Sequence, residues 1–129
     1  MSGRRALIVD DDRLFRTVID RILSAAGFET AQAENGSEAL QVIQNFLPEL
    51  LVLDIWMPGE FDGVEVCRRV RADLRFKKLI IVMMSAADRR KETDRCLQAG
   101  ANLFIPKPFT PKQFLVQVKL LLREKGVLS

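Results

Sequence analysis

Short apolar runs recur along the chain and are separated by longer stretches of mixed polarity. Three of them, Ala6–Val9, Leu50–Leu53 and Leu79–Met84, contain only aliphatic residues and methionine, and a polar residue follows each run directly. Their length and β-branched content are typical of strands buried on both faces. Phe28–Ala33 and Ala101–Ile105 are weaker runs of the same kind, so the pattern predicts five strands.

Each predicted strand is followed by a stretch whose apolar residues have helical spacing. The first helix is predicted from Arg13 to Ala26, before Gly27. Its inward face is predicted to consist of Phe15, Val18, Ile19, Ile22 and Ala26. Later helices are predicted from about Ser37 to Phe46, from Gly63 to Ala72, from Asp88 to Gln98, and from Pro111 onward. Thr110 is the predicted N-cap of the last helix, whose inward residues are Phe114, Val118, Leu121 and Leu122.

The order strand–helix is repeated five times, without a linker, a sequence repeat or a low-complexity segment. Strands that alternate with helices indicate an α/β fold, a doubly wound parallel sheet covered on both faces. The 129 residues are those of one domain of ordinary size, predicted over residues 5–124. In such sheets, ligands bind beyond the carboxyl ends of the strands.

Polar residues with related chemistry stand at those predicted strand ends. Asp10, Asp11 and Asp12 follow the first strand, Asp54 the third and Ser85 the fourth, and Lys107 comes after the fifth. Neighbouring carboxylates repel one another unless a cation lies between them, and oxygen ligands suit Mg²⁺ or Mn²⁺. An aspartate can attack phosphorus as a nucleophile, while a lysine and a hydroxyl can bind phosphoryl oxygens. The set therefore favours phosphoryl transfer.

Each of these residues also has an ordinary structural explanation. An aspartate among the three consecutive ones can cap a helix, Asp54 can be a turn residue, and Lys107 can be solvated. These explanations do not predict that all of them occur at the ends of successive buried strands.

Composition excludes several other classes of site. The chain has no histidine, and Cys67 and Cys96 lack metal-ligand spacing, which argues against a zinc site and a Ser-His-Asp triad. No apolar run is long enough to cross a bilayer and no export signal is evident, so we expect a cytoplasmic protein without membrane contact. Basic residues cluster at Arg68, Arg69, Arg71, Arg75, Lys77 and Lys78 and again at Arg89, Arg90, Lys91 and Arg95. Without a DNA-reading motif they are interpreted as solvated helix faces rather than a nucleic-acid surface.

At these motifs the chain resembles the receiver domains of two-component response regulators. The matching segments are Leu7-Ile8-Val9-Asp10-Asp11, Leu53-Asp54-Ile55-Trp56-Met57-Pro58 with Asp62-Gly63, Ser85-Ala86, Gly100-Ala101 and Lys107-Pro108-Phe109. The resemblance covers about residues 5–124. It implies a flavodoxin-like (βα)5 fold with strand order 2-1-3-4-5.

The resemblance also implies roles for the residues at the strand ends. Asp54 would be the phosphorylated aspartate, and Asp10 and Asp11 the acidic pair. Together with the backbone carbonyl of Trp56, these three carboxylates would bind Mg²⁺, or Mn²⁺. Lys107 would contact the phosphoryl group.

A second group of implied roles concerns switching. Ser85 would be the switch hydroxyl and Phe104 the switch aromatic, which becomes buried on phosphorylation. The Lys107–Pro108 peptide would be cis. Trp56 and Ala87 would restrict water at the phosphoaspartate, which predicts slow autodephosphorylation.

By the same resemblance the protein would be a regulator rather than an enzyme, one that assists its own phosphoryl transfer. The donor would be a sensor histidine kinase or a phosphotransfer protein. Phosphorylation would change the helix 4/strand 5/helix 5 surface and control an output protein or a fused effector domain. A phosphorylation-dependent dimer is possible. Leu14, off the inward face of the first helix, is either a kinase contact or a scattered surface leucine.

The chain departs from the family pattern at three places. Gly59, Glu60 and Phe61 separate Pro58 from Asp62, where two residues are usual. Phe104 replaces a common tyrosine. The pair Asn102-Leu103 lacks an acidic residue that one DNA-binding subfamily uses in its dimer.

Two alternatives remain. A haloacid-dehalogenase-type phosphatase would need a second acid two residues after the nucleophile, where this chain has Trp56. A pseudo-receiver would have lost part of the Asp54, Ser85 and Lys107 set, which is complete here.

Overall fold

The predicted pattern of strands and helices is present throughout the computed structural model, which describes residues 4–86 and 89–127, without the side chains of Arg89 and Arg90. The elements are β1 Arg5–Val9, α1 Arg13–Ala25, β2 Glu29–Ala33, α2 Gly36–Phe46, β3 Leu50–Asp54, α3 Gly63–Arg71, a short 3-10 helix Leu74–Phe76, β4 Ile80–Ser85, α4 Arg89–Ala99, β5 Leu103–Pro106 and α5 Pro111–Glu124. The predicted start of α4 at Asp88 lies outside the described residues. Among the described residues, no helix is both long and apolar enough to span a membrane.

The five strands form one parallel sheet in the order β2-β1-β3-β4-β5, which confirms the predicted fold class and strand order. The direction in which successive strands are added to the sheet reverses between β1 and β3, because β2 lies on one side of β1 and β3 on the other. Val9 pairs with Leu53 at this point. The crevice at such a switch point is where open α/β sheets bind their ligands.

The sheet separates two hydrophobic layers because successive strand residues point to opposite faces. Leu7 and Leu53 pack with α2, α3 and α4 on one face. Ile8 and Val52 pack with α1 and α5 on the other. The side chains of β1, β3 and β4 are almost entirely buried, as the continuous apolar runs predict.

The inward face of α1 differs from the prediction at two positions. Val18 is 41% exposed, whereas Leu23, which the pattern had not selected, is fully buried. Leu23 lies one helical turn after Ile19 and therefore shares its buried face. Val18 lies one turn after the exposed Leu14, on the rim of the helix.

Arg71 is a structural residue, and its interpretation as part of a solvated basic face was wrong. Its guanidinium donates to the carbonyls of Gly100 and Phe76 at 2.8 and 2.9 Å and to Asn102 Oδ1 at 2.8 Å. Asn102 Oδ1 also accepts a hydrogen bond from the Ile81 amide at 2.8 Å. The asparagine side chain thus replaces a main-chain acceptor, and β5 begins at Leu103 instead of the predicted Ala101.

Candidate functional site

Three carboxylates meet at the carboxyl ends of β1 and β3. Ligand oxygens of Asp10, Asp11 and Asp54 all lie within 4.8 Å of one another. The parallel pairing of β1 with β3 brings the ends of the two strands side by side, although Asp10 and Asp54 are far apart in sequence. Asp10 and Asp54 are buried and Asp11 is exposed, so the cluster opens to solvent on one side.

Asp12 is not part of this cluster. Its carboxylate accepts hydrogen bonds from the Leu14 and Phe15 amides at 3.0 and 3.2 Å and caps α1. The ordinary explanation for one of the three consecutive aspartates therefore applies to the third. Its own amide donates to Asp10 Oδ1 at 2.9 Å, so the cap also orients the carboxylate of Asp10.

Lys107 extends into the acidic cluster from the loop after β5. Its ammonium nitrogen lies 3.0 Å from Asp10 Oδ2 and 3.2 Å from Asp54 Oδ1, and 4.1 Å from the centre of the Phe15 ring. Burial alone lowers the pKa of Lys107, but the hydrogen bond to Asp10 and the charge of Asp54 outweigh it, and the net pKa is raised. The lysine is therefore a fixed cation at neutral pH. The peptide between Lys107 and Pro108 is cis, as the resemblance implied.

Burial raises the pKa of Asp54 to about 6, and the negative charge of Asp10 adds to the increase. The charge of Lys107 and its hydrogen bond act in the opposite direction without cancelling it. One ammonium therefore does not neutralise three carboxylates. A divalent cation bound to their oxygens would supply the missing charge, so the residues fit the predicted metal.

This pKa predicts how stability depends on pH in the metal-free protein. The folded-state pKa of Asp54 lies above its ordinary value of 3.8, so the stability contributed by its neutral carboxyl is present below that value and is lost as pH rises through about 6. Asp54→Asn carries no such charge. We expect its advantage over wild type in free energy of unfolding to grow by about 2 kcal/mol from pH 4 to pH 8, a value discounted for partial solvent exposure.

Urea denaturation in EDTA at several pH values measures this difference. Asp12→Asn is the control, because asparagine caps a helix as well as aspartate and the side chain is exposed. Saturating Mg²⁺ should remove the advantage of Asp54→Asn, since the metal stabilises only a protein that binds it. A difference that stays constant between pH 4 and pH 8 would contradict the raised pKa.

Gly63 packs directly against the backbone of Asp54. The sequence identified Gly63 only as part of the motif and not as a packing contact. Its amide donates to the Ile55 carbonyl at 2.7 Å. A Cβ at this position would lie 2.1 Å from the Asp54 carbonyl oxygen and 2.8 Å from the Ile55 Cα. Asp62, directly before it, caps α3 by accepting from the Glu65 amide at 2.9 Å. Only glycine lets α3 begin so close to the end of β3.

Arg16 also supports the end of β1, and the sequence pattern did not single it out. Its Nη1 donates to the main-chain carbonyl of Asp10 at 2.6 Å, and its Nε donates to Gln32 Oε1 at 3.0 Å. Arg16 therefore ties the end of β1 to α1 and β2. Its place one helical turn after the Asp12 cap was the available signal.

The two predicted switch residues lie on neighbouring strands. Ser85 is buried at the end of β4, and its carbonyl accepts from the Lys107 amide at 2.8 Å. Phe104 pairs with Met83 in the sheet and is 9% exposed. The aromatic ring therefore occupies an inward position in this structure, the one that the resemblance assigns to the phosphorylated form.

Trp56 lies beside the acidic cluster. Its side chain is half-exposed, and the Arg95 guanidinium of α4 lies 5.3 Å from the ring centre. The indole therefore contacts the Arg95 side chain of α4 and is otherwise largely open to solvent. Ala87, predicted to act with Trp56, lies outside the described residues.

Comparison with known proteins was made by sequence and by structure. Residues 6–119 match the family model described as response regulator receiver domain. The response regulator MprA of Mycobacterium sp. strain KMS is 41% identical over 119 residues, which are 92% of this chain and 50% of that protein. The phosphate regulon transcriptional regulatory protein PhoB of Pseudomonas aeruginosa is 36% identical over 126 residues, 98% of this chain and 55% of that protein. The chain thus spans about half the length of these curated relatives.

Solved structures agree with the sequence relatives. The chemotaxis protein CheY4 of Vibrio cholerae superposes with a TM-score of 0.87 at 27% identity, over 94% of this chain and all of that one (100%). A CheY-like response regulator receiver domain protein of Methanospirillum hungatei superposes with a TM-score of 0.84 at 29% identity, over 97% of this chain and 98% of that one.

Proposed function

The chain belongs to the response-regulator receiver family, and we propose that it is a phospho-acceptor switch that takes a phosphoryl group onto Asp54. Receiver domains serve phosphorylation-based signalling in two-component systems. We propose that this receiver domain comprises residues 5–124. One observation carries the assignment of Asp54, which is the juxtaposition of its carboxylate with Asp10, Asp11 and the Lys107 ammonium. An acidic cluster with one fixed cation is suited to a dianionic phosphoryl group and a divalent metal.

Incubation with a small phosphodonor and Mg²⁺, followed by intact-mass measurement, tests this function. A gain of one phosphoryl group that persists after the donor is removed supports a receiver. Turnover of the donor without accumulation would indicate a phosphatase. Neither accumulation nor turnover would indicate a pseudo-receiver.

We assign the metal ligands to Asp10, Asp11, Asp54 and the backbone carbonyl of Trp56. Carboxylate and carbonyl oxygens are the ligands that Mg²⁺ and Mn²⁺ prefer, and the raised pKa of Asp54 supports a charge deficit at this place. When bound, the metal would neutralise carboxylate and phosphoryl oxygens. Loss of Mg²⁺-dependent stabilisation in Asp11→Asn would test the assignment, and an unchanged metal affinity would contradict it.

In the reaction, an oxygen of the Asp54 carboxylate forms the bond to phosphorus. The bond between phosphorus and the donor breaks, and the leaving group keeps the electron pair. Lys107 contributes a positive charge beside the attacking carboxylate, because its ammonium lies 3.2 Å from Asp54 Oδ1. The Ser85 hydroxyl would donate to a phosphoryl oxygen. No protein group has to accept a proton, so the protein's contribution is positioning and charge.

We propose that the new contacts of Ser85 and Lys107 shift the population of the surface formed by α4, β5 and α5. Lys107 is joined to β4 because its main-chain amide donates a hydrogen bond to the Ser85 carbonyl, so movement of either residue affects both strands. Amide exchange of residues 86–105 should change on phosphorylation, because a ligand shifts an equilibrium when it contacts the two states differently. Hydrogen-exchange mass spectrometry measures this. Unchanged exchange there, with full phosphorylation, would remove the switching role of Ser85 and Phe104.

We propose a sensor histidine kinase or a phosphotransfer protein as the donor, and an output protein or a fused effector domain as the target. The match covers only about half of MprA and PhoB, which supports the proposal of a fused effector domain. Direct nucleic-acid binding is not proposed, because Arg68, Arg69 and Arg75 are paired with acidic residues. Asn102, at the position discussed for the dimer of one DNA-binding subfamily, makes its side-chain hydrogen bonds within the chain. The phosphorylation-dependent dimer stays a prediction. Cytoplasmic location and slow autodephosphorylation also stay predictions.

Leu14 is the proposed contact for the phosphoryl donor. It is 75% exposed and precedes Phe15, whose ring contacts Lys107. A large exposed apolar residue beside the site is suited to a partner surface. Leu14→Arg should slow transfer from the cognate kinase about tenfold, about 1.4 kcal/mol, and leave reaction with a small phosphodonor unchanged.

Leu74→Arg is the matched control for this prediction. Leu74 is 85% exposed but precedes β4, so it lies at the amino ends of the strands, away from the site. Radiolabel transfer from the kinase measures both variants. Equal slowing of kinase and small-donor reactions by Leu14→Arg would show damage to the site instead of lost docking.

A further inference from the structure

Arg95 connects α4 to the β3–α3 loop, residues 55–62. Its guanidinium lies 5.3 Å from the centre of the Trp56 ring, and its Nη2 lies 3.6 Å from Asp62 Oδ2. Trp56 is two residues after Asp54, and Asp62 caps α3. One side chain therefore contacts both the beginning and the end of the loop that borders the acidic cluster.

Arg95 is itself held by a buried carboxylate. Its Nη1 donates to Glu92 Oε1 at 2.9 Å, and Glu92 is 3% exposed. Within the part of the chain that the structure describes, the other oxygen of Glu92 accepts no hydrogen bond. A buried carboxylate is costly unless its charge is balanced, and the guanidinium provides that balance. Glu92 thus anchors Arg95 in the position from which it contacts the loop.

A cavity of about 670 Å³ lies between this loop, α3 and α4. It is lined by Trp56, Asp62 and Arg95. The loop is therefore not supported by close packing on this side. Arg68 lines the same cavity, but it pairs with Glu65 in its own helix at 2.7 Å. Arg95 therefore reaches across the cavity from α4 to the loop, and Arg68 does not.

We propose that Arg95 is a positioning residue of the metal site, which presets the backbone of Trp56 and couples α4 to occupancy of the site. The inference rests on the proposed function, in which the Trp56 carbonyl is a metal ligand. A loop already held in its binding conformation loses less entropy when the ligand binds. Coupling is reciprocal, so a metal that orders the loop also orders α4 through the same side chain.

Electrostatics alone predicts the opposite sign, which makes the proposal testable. Removing a positive charge near three carboxylates should strengthen binding of a cation. If Arg95 acts by positioning, Arg95→Ala should instead weaken Mg²⁺ binding, by about fivefold, about 1 kcal/mol. Arg68→Ala, which removes the same charge from the same cavity, should not weaken it. Arg95→Lys should be intermediate, because a single ammonium can pair with Glu92 but lacks the planar group that spans Trp56 and Asp62.

Calorimetric titration with Mg²⁺ measures the affinities, and the rate of reaction with a small phosphodonor is measured against Mg²⁺ concentration. Arg95→Ala should need about five times more Mg²⁺ for half-maximal rate, about 1 kcal/mol, and should reach the wild-type rate at saturation. Mg²⁺ should also protect amides of residues 91–99 in wild type more than in Arg95→Ala. Glu92→Gln removes the charge that anchors Arg95 and should also weaken Mg²⁺ binding. This variant tests the proposal if Arg95→Ala does not fold.

Two results would overturn the inference. In the first, Arg95→Ala lowers the melting temperature in EDTA but keeps the wild-type Mg²⁺ affinity, which makes the arginine merely structural. In the second, Arg68→Ala weakens binding as much as Arg95→Ala. Failure of the wild-type protein to bind Mg²⁺ at all would instead overturn the proposed function, so the two failures are distinguishable.

Discussion

Asp54→Asn should take up no detectable phosphoryl group from either a kinase or a small phosphodonor, while keeping its fold. The amide is nearly isosteric with the carboxylate, so it fills the same buried place at the end of β3. It cannot serve as the nucleophile, because an amide oxygen carries no negative charge and would not form a stable acyl phosphate.

Intact-mass measurement after incubation with donor and Mg²⁺ detects the loss, and circular dichroism checks the fold. Asp12→Asn is the matched control, because Asp12 follows Asp10 and Asp11 in sequence but serves as the α1 cap. It should be phosphorylated at close to the wild-type rate. Phosphorylation of Asp54→Asn at the wild-type rate would falsify the assignment of the nucleophile, and peptide mapping would then locate the true acceptor.

Gly63→Ala should destabilise the protein by about 3 kcal/mol, at the upper end of typical overpacking costs. The added Cβ would lie 2.1 Å from the Asp54 carbonyl oxygen, far inside van der Waals contact. The obstructing atoms belong to the backbone of a buried central strand, so no flexible side chain can move aside. Either α3 or the end of β3 has to shift, and a shift of β3 moves Asp54. We therefore expect slower phosphorylation together with lower stability.

Urea denaturation compares this variant with Gly59→Ala in the β3–α3 loop that precedes it. Gly59 has a φ of +105° and no atom within 4 Å of an added Cβ, so alanine there carries only the conformational cost, about 1–2 kcal/mol. The two variants thus separate crowding from backbone strain. Equal destabilisation of both, with normal phosphorylation of Gly63→Ala, would show that α3 moves away at little cost.

Much of the fold follows from the local pattern of the sequence. Strands buried on both faces need continuous apolar runs, and the runs 6–9, 50–53 and 79–84 are continuous and of strand length. Once these strands are parallel, their carboxyl ends lie on one edge. Asp10, Asp54 and Lys107 therefore had to approach one another, and the structure brings them together.

Helix faces were predictable only in part. The spacing that selects Ile19 also allows Val18, and sequence periodicity alone does not say where the edge of a buried stripe falls. The position of α1 against the sheet and α5 decides it. There Leu23 is buried and Val18 is exposed.

The tertiary structure alone decided which polar residues support the fold and which support the site. Arg71 becomes structural because Gly100 and Asn102 come within hydrogen-bonding distance, and Arg95 becomes a bridge because α4 lies beside the β3–α3 loop. Each contact joins segments about 30 residues apart or more, and its partner is set by the packing of helices that the local sequence does not encode. Side chains of one type, such as the arginines, look equivalent in the sequence because their roles depend on which acceptors the fold places around them.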